Sequence, residues 1–255
     1  MIEASKDFND LVKIVEQLRK ECPWDRKQTH QSIKDNLIEE AYEAVDAIDQ
    51  EDFEELKKEV GDLLLHVVFH STMASETESF TIEDVIESIQ EKLIRRHPHV
   101  FGDEVADDEQ KVAENWENIK MNEGKKSVLD GIPRHLPALI KAQRMQEKAA
   151  NVGFDWPESD QVMDKVREEM EEFSEALEAQ DQQESQNEFG DLLFSLVNLG
   201  RFYDLNAEDA LRLTNRKFQQ RFQFVEQSLR KAGTDPKDAT LEEMDSYWDE
   251  AKTKV

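Results

Sequence analysis

Apolar residues recur along this chain at the spacing of helices rather than the alternation of strands. A first amphipathic helix is predicted over 8–20 and breaks at Cys22-Pro23-Trp24-Asp25, where proline disfavours helical backbone in the residue before it. A second, over about 31–48, carries the apolar stripe Ile38, Ala41, Val45 and Ile48, with Glu39, Glu40 and Glu43 on its other side. After an acidic turn near Gln50 comes a third, over 53–74, apolar nearly all round from Val60 to Phe69, which predicts that it is largely enclosed. Thr81 with Asp84 marks the start of a fourth, which should stop before Pro98, and a fifth over 109–122 carries Trp116 and Lys120. Residues 124–135, with Gly124, Ser127, Gly131 and Pro133, read as a linker. The second half repeats the plan: a helix from Pro137 that Gly153 ends, helices over 161–179 and 182–203, a long one from Asn206 to about 231, and a last over 241–252. Five helices per half and no convincing strand predict an all-α protein of two helical bundles, residues 1–123 and 136–255.

The repeat extends to charge. Glu39, Glu40, Glu43, Glu59 and Asp62 recur 129 positions later as Glu168, Glu169, Glu172, Glu188 and Asp191, and Gly61-Asp62-Leu63-Leu64 recurs as Gly190-Asp191-Leu192-Leu193. With 59 acids among 255 residues, five matches at one offset have chance odds on the order of one in a thousand. Glu40 with Glu43, and Glu59 with Asp62, are three apart and share a helix face, so two antiparallel helices would aim four carboxylates at one point. Such a cluster repels itself unless a divalent ion neutralises it, and oxygen-only ligands select Mg²⁺ or Mn²⁺. A solvated acidic face explains Glu39, Glu40 and Glu43 taken alone; the apolar surroundings of Glu59, Asp62, Glu188 and Asp191 favour the metal. His66 and His70 continue the stripe of Glu59 and Asp62, yet Ser195 and Leu199 stand at their repeat positions, which points to local packing or hydrogen bonding.

A formal charge of −27 repels polymeric nucleic acid and anionic lipid, while a small phosphorylated substrate arriving with Mg²⁺ is compatible with it. One cysteine permits no internal disulfide, and neither a signal segment nor an apolar run of membrane-spanning length is present. These features predict a soluble cytoplasmic protein, and the 38% hydrophobic content is lean enough for dimerisation to complete the cores. Lys217 with Arg221, and Lys92 with Arg96, are helical neighbours that can clamp phosphate oxygens or simply pair with the abundant acids. Trp116 with Lys120 and Trp248 with Lys252 form another echo, open to base stacking or to plain packing.

Glu39-Glu40-Ala41-Tyr42-Glu43 followed by Glu59-Val60-Gly61-Asp62 resembles the acidic motif of the MazG nucleoside triphosphate pyrophosphohydrolases. Cys22-Pro23-Trp24-Asp25, Arg95-Arg96-His97-Pro98-His99-Val100-Phe101, Leu136-Pro137-Ala138-Leu139 and Asn151-Val152-Gly153-Phe154-Asp155-Trp156 are similar to segments of its tandem bacterial form. The resemblance implies an all-helical homodimer whose equivalent domains pack as four-helix bundles, and Mg²⁺-dependent hydrolysis of a nucleoside triphosphate to monophosphate and pyrophosphate. It implies metal at Glu169, Glu172, Glu188 and Asp191, and nucleotide contacts from Lys165, Glu168, Lys217, Arg221 and Trp248. Asn187 and Glu184 depart from the family's pattern. The first quartet, Glu40, Glu43, Glu59 and Asp62, is also complete, so both halves are expected to bind Mg²⁺. Glu168 and Glu39, beside the metal ligands, are the expected catalytic bases, and Lys92, Arg96, Trp116 and Lys120 are the first half's candidate substrate contacts. Nucleotide-pool cleansing or regulation is the expected role. Two other readings remain: a non-catalytic acidic helical module that docks a basic partner, and a di-iron protein, which the missing Glu-x-x-His pairs disfavour.

Overall fold

The computed structural model describes residues 4–102 and 127–254. The helix expected over 109–122, with Trp116 and Lys120, lies outside the described residues. Every regular element among those described is a helix, and the chain divides into two units, Met1–Asp108 and Glu109–Val255. No described helix is long and apolar enough to cross a membrane.

In the first unit, α1 (Phe8–Glu21) starts where the Asp7 carboxylate accepts the Asn9 amide at 2.8 Å, and a 3₁₀ turn (Asp25–Lys27) follows Pro23. Helix α2 (Lys34–Asp49) begins three residues later than its periodicity suggests, because Thr29 and Ser32 tie the preceding segment into a side-chain-bonded turn. Helices α3 (Phe53–Ser75), α4 (Ile82–Arg96) and the one-turn α5 (Pro98–Phe101) complete the unit. The capping box expected at Thr81 forms, with the Thr81 amide donating to Asp84 at 2.7 Å. Val15, Ile33, Val68, Phe69 and Met73 make the core.

The second unit comprises α6 (Ala138–Ala150), α7 (Ser159–Glu178), α8 (Gln182–Phe202), α9 (Ala207–Ala232) and α10 (Leu241–Ala251). Helices α7 and α8 form its tightest pair, whereas α9 packs chiefly on α10 and α6.

The α2–α3 and α7–α8 hairpins are turned by the same device. Glu51 and Gln180 adopt left-handed backbone, φ 54° and 56°. Asp52 and Asp181 then cap the next helix, each accepting two backbone amides between 3.0 and 3.2 Å. Fixing the turn fixes the phase of the second helix against the first, and hence which of its side chains meet the acids across the hairpin.

The apolar faces differ from the sequence expectation. On α2 the buried residues are Ala44 and Ala47, with Glu40 half-buried beside them, while Ile38 and Ile48 are 52% and 57% exposed. On α3, Glu59 is buried as expected, but Val60, Leu64 and Val67 lie open, so the enclosure predicted for this helix is one-sided within the chain. Small alanines let the two helices approach closely where the acids face each other, and that leaves the larger apolar side chains outside.

Arg19 organises the start of the first unit. Its Nε and Nη2 donate to Glu76 at 2.8 and 2.6 Å, and its Nη1 donates to the carbonyls of Asp25 and Gln28. Arg19→Ala should lower the unfolding free energy by about 2 to 3 kcal/mol in urea titrations, because two loop carbonyls lose their donor. Hydrogen bonding to Arg19 holds the Glu76 carboxyl below its ordinary range. The part of the effect owed to Glu76 is therefore present at neutral pH and disappears as pH falls through that depressed value.

Candidate functional site

Across the α2–α3 hairpin, Glu40, Glu43 and Glu59 each offer an oxygen within 4.8 Å of the others, and Glu169, Glu172 and Glu188 do the same across α7–α8. The structure thus brings together three members of each expected quartet. Asp62 and Asp191 stand exposed beside these sets, near enough for Asp62 to push up the pKa of Glu40 and Asp191 that of Glu188. Glu39 and Glu168 are exposed next to their sets, and Glu168 accepts from Lys165 at 3.0 Å.

The local electrostatics are those of like charges held together. Burial, followed by Glu43, Glu55 and Glu40, raises Glu59 from an ordinary 4.5 to about 7. Burial raises Glu40, with Asp62 and Glu43 adding to it. In the second unit, burial and then Glu169 raise Glu172, and burial and then Glu172 raise Glu188. Lys165 offsets part of that charge: its ammonium pairs with Glu169 at 2.8 Å, and hydrogen bonding to Glu169 and Glu168 raises its own pKa. At the equivalent position the first unit has Asn36. These donors fit a hard divalent cation: each set supplies only oxygens, one member of each is buried, and burial together with the neighbouring carboxylates disfavours the ionised forms, a cost that an added positive charge relieves.

The expected phosphate contacts sit on other helices. Arg221 lies over the Trp248 ring at 6.0 Å, Phe218 meets the same ring at 5.2 Å, and the buried Arg221 Nε has no acceptor among the described residues. Trp248 of α10 therefore packs against α9, and Lys217 is exposed one turn from Arg221. The acidic hairpin and this aromatic–basic pair belong to separate helix pairs within the unit. Lys92 is exposed on α4, and neither it nor Arg96 lines the cavity beside the first acidic set.

Local hydrogen bonding, the reading preferred for His70, is what forms: its Nδ1 meets Nδ1 of His30 at 2.8 Å with the rings stacked. His66 instead lines a small cavity with Trp24, Asn36 and Glu40. A matching cavity in the second unit is lined by Trp156, Lys165, Glu169, Asp191 and Asn198. Sequence reasoning did not find these cavities, because their walls come from separate helices and a loop and share no period. The duplicated tryptophans of Cys22-Pro23-Trp24-Asp25 and Phe154-Asp155-Trp156 were the available signal.

An all-helical repeat with one carboxylate cluster per hairpin defines a class, and comparison with known proteins agrees with it. Residues 28–101 and 158–225 each match the MazG nucleotide pyrophosphohydrolase domain. The chain belongs to this family of hydrolytic enzymes. It is 48% identical to the nucleoside triphosphate pyrophosphohydrolase/pyrophosphatase MazG of Thermotoga maritima, over 99% of this chain and 98% of that one. It is 46% identical to the nucleoside triphosphate pyrophosphohydrolase of Escherichia coli K12, over 91% and 90% of the two chains. The YabN protein of Bacillus subtilis is 48% identical over 96% of this chain, which spans 52% of its length.

The raised carboxylates set a pH dependence with a defined sign. The folded state holds the Glu59 proton more tightly than the unfolded chain, so metal-free protein should lose stability as pH rises from about 4.5 through 7. A divalent cation binds the ionised form and opposes that loss. In thermal melts, Mg²⁺ should therefore raise Tm more at pH 8 than at pH 5.5, and Glu59→Gln should flatten the pH dependence of the metal-free protein.

Proposed function

We propose that this chain hydrolyses nucleoside triphosphates to the monophosphate and pyrophosphate with Mg²⁺, Mn²⁺ being chemically equivalent here. The observation that carries this reading is the pair of three-carboxylate sets, each built across one hairpin. In the second unit Glu169, Glu172, Glu188 and Asp191 hold the cation; in the first, Glu40, Glu43, Glu59 and Asp62 do so. When bound, the cation neutralises triphosphate charge and makes water a better nucleophile. Glu168, with Glu39 as its counterpart, orients that water and takes its proton. The water oxygen bonds to one phosphorus of the α–β bridge, the bond from that phosphorus to the bridging oxygen breaks, and the nucleoside monophosphate and pyrophosphate separate. Lys217 and Arg221 balance the charge gathering on the leaving group, and the acceptor-less Nε of Arg221 supports an anion at that point. Lys165 positions Glu168 and meets the nucleotide, while Trp248 flanks it. Lys92, Arg96, Trp116 and Lys120 are the first unit's corresponding contacts.

The same reading makes the protein a homodimer in which each acidic hairpin packs against its copy. Phe189, Leu193 and Leu196 of α8 and Met170 and Leu177 of α7 are 40% exposed or more. Ile38, Ile48, Val60 and Leu64 form a comparable open face on α2–α3. Four-helix packing across these faces would complete the enclosure that each hairpin lacks alone. Cleansing or regulation of a cytoplasmic nucleotide pool follows as the role.

Glu172→Gln should lower Mg²⁺-dependent pyrophosphate release at least about a hundredfold, measured with a panel of triphosphates while separating pyrophosphate from orthophosphate. Unchanged turnover would overturn the assignment, and salt-sensitive capture of a basic protein without any pyrophosphate release would favour a docking module. Introducing charge through Leu193→Glu with Leu196→Glu should halve the mass in sedimentation equilibrium and reduce turnover with it.

A further inference from the structure

Three of the chain's six histidines, His30, His66 and His70, gather in the first unit outside its acidic set. His66 and His70 are four residues apart on α3 and share a face of it, a spacing that lets two imidazoles reach one metal ion. His30 comes to them from the exposed turn before α2. The ring centres are 5.1 Å apart for His30 and His70 and 6.1 Å for His66 and His70. Two imidazoles on one tetrahedral ion, with metal–nitrogen bonds of about 2.0 to 2.1 Å, have ring centres roughly 5 Å apart. The first pair already has that spacing, and the second exceeds it by about one ångström, within the swing of the His66 side chain.

Hydrogen bonding alone does not satisfy this group. The Nδ1 atoms of His30 and His70 are 2.8 Å apart, so they hold a single proton between them. Nδ1 of His66 and Nε2 of His70 are buried and have no partner among the described residues. A ring nitrogen in that state has lost water without gaining a bond, and a ligand removes that cost. Burial, followed by His30 and His66, lowers the His70 pKa, so its ring is neutral near pH 7, as a metal-binding imidazole must be. The donors here are nitrogens, whereas each acidic set offers only oxygens. Imidazole favours Zn²⁺ and its transition-metal neighbours over Mg²⁺. The second unit lacks the group, with Ser159, Ser195 and Leu199 at the repeat positions.

We propose that His30, His66 and His70 form a second kind of metal site, which takes one Zn²⁺-class ion with water in the fourth position. The ion replaces the proton shared by His30 and His70. That proton moves to the other nitrogen of its own ring, so each imidazole stays neutral and offers one lone pair. His30 lies in the segment between Asp25 and Ile33, which both line the cavity beside Glu40, so the bound ion fastens that wall to α3. The site goes beyond the hydrolase reading and does not depend on it.

Co²⁺ stands in for Zn²⁺ in the test. On imidazole nitrogens it is tetrahedral and absorbs strongly in the visible, whereas on carboxylates and water it is octahedral and absorbs weakly. One equivalent of Co²⁺ added to the full chain in excess Mg²⁺ should give the strong band, and Zn²⁺ should abolish it by displacement. His30→Gln, His66→Ser and His70→Leu should each weaken Co²⁺ binding at least about tenfold. The last two install the second unit's own residues, and circular dichroism checks that the helices remain; if either unfolds, His30→Gln in the exposed turn decides alone. His99→Gln, in the separate His97–His99 pair, should bind like the parent. A weak octahedral spectrum in the parent, a strong band that survives His30→Gln, or its loss in His99→Gln each overturns the proposal. Undiminished binding in folded His66→Ser overturns the three-histidine site. No nucleotide enters the experiment, so the result stands whether or not the chain releases pyrophosphate.

Discussion

Like charges do not gather without something that holds them, and here two antiparallel helices hold carboxylates face to face. Glu59 and Glu169 are each the buried member of a three-acid set, and burial first, then the neighbouring carboxylates, raises the pKa values of Glu59, Glu40, Glu172 and Glu188. The rest of each unit can be understood as the frame that enforces this contact. A left-handed residue and a capping aspartate set the phase of each hairpin, and alanines at Ala44 and Ala47 let the first pair of helices close. A face this unfavourable in isolation is stable only because the helices carrying it are anchored elsewhere, by the Val68–Phe69–Met73 core in one unit. Burial energy of that kind is non-directional, so it can hold the frame without dictating which polar groups the frame presents.

The repeat is faithful in backbone and unequal in chemistry. Both hairpins keep the turn and the acids, but Lys165 tethers the second set where the first has Asn36. Ser195 and Leu199 replace the His66 and His70 positions, and the Asn198–Arg201–Asp155 network has no counterpart in the first unit. A duplicated domain can diverge in this way because the hairpin geometry depends on the caps and the small buried residues, while the lining of the cavities depends on positions the hairpin does not constrain.

Much of this was legible in the linear pattern. Helix periodicity placed α1, α3, α7, α8, α9 and α10 to within a few residues, since runs this long leave little choice of secondary structure. The Thr81 box and the Asn206 cap were read from residue type alone, and local hydrogen bonds suffice to form them. The start of α2 was missed because side-chain bonds from Thr29 and Ser32 compete with the helix there. The inward face of α2 was also misplaced. Periodicity shows that Ile38 and Ile48 share a side, but it cannot show whether that side meets a neighbour in the same chain or faces away from it.

By itself, then, the sequence determined the helices, the twofold internal plan and the acidic residues at constant offset, because each is encoded by spacing or by short-range capping. Tertiary structure decided which three acids of each set come within 4.8 Å of one another, with Asp62 and Asp191 exposed beside them, and that Arg221 and Trp248 pair on a different helix pair of the second unit. It also decided that Gln146, Asn198 and Trp156, unrelated by any period, border one cavity. The physical reason is distance along the chain: a helix fixes the directions of its own side chains, but meetings between residues tens of positions apart depend on how the helices pack, and packing is settled only by the whole core at once.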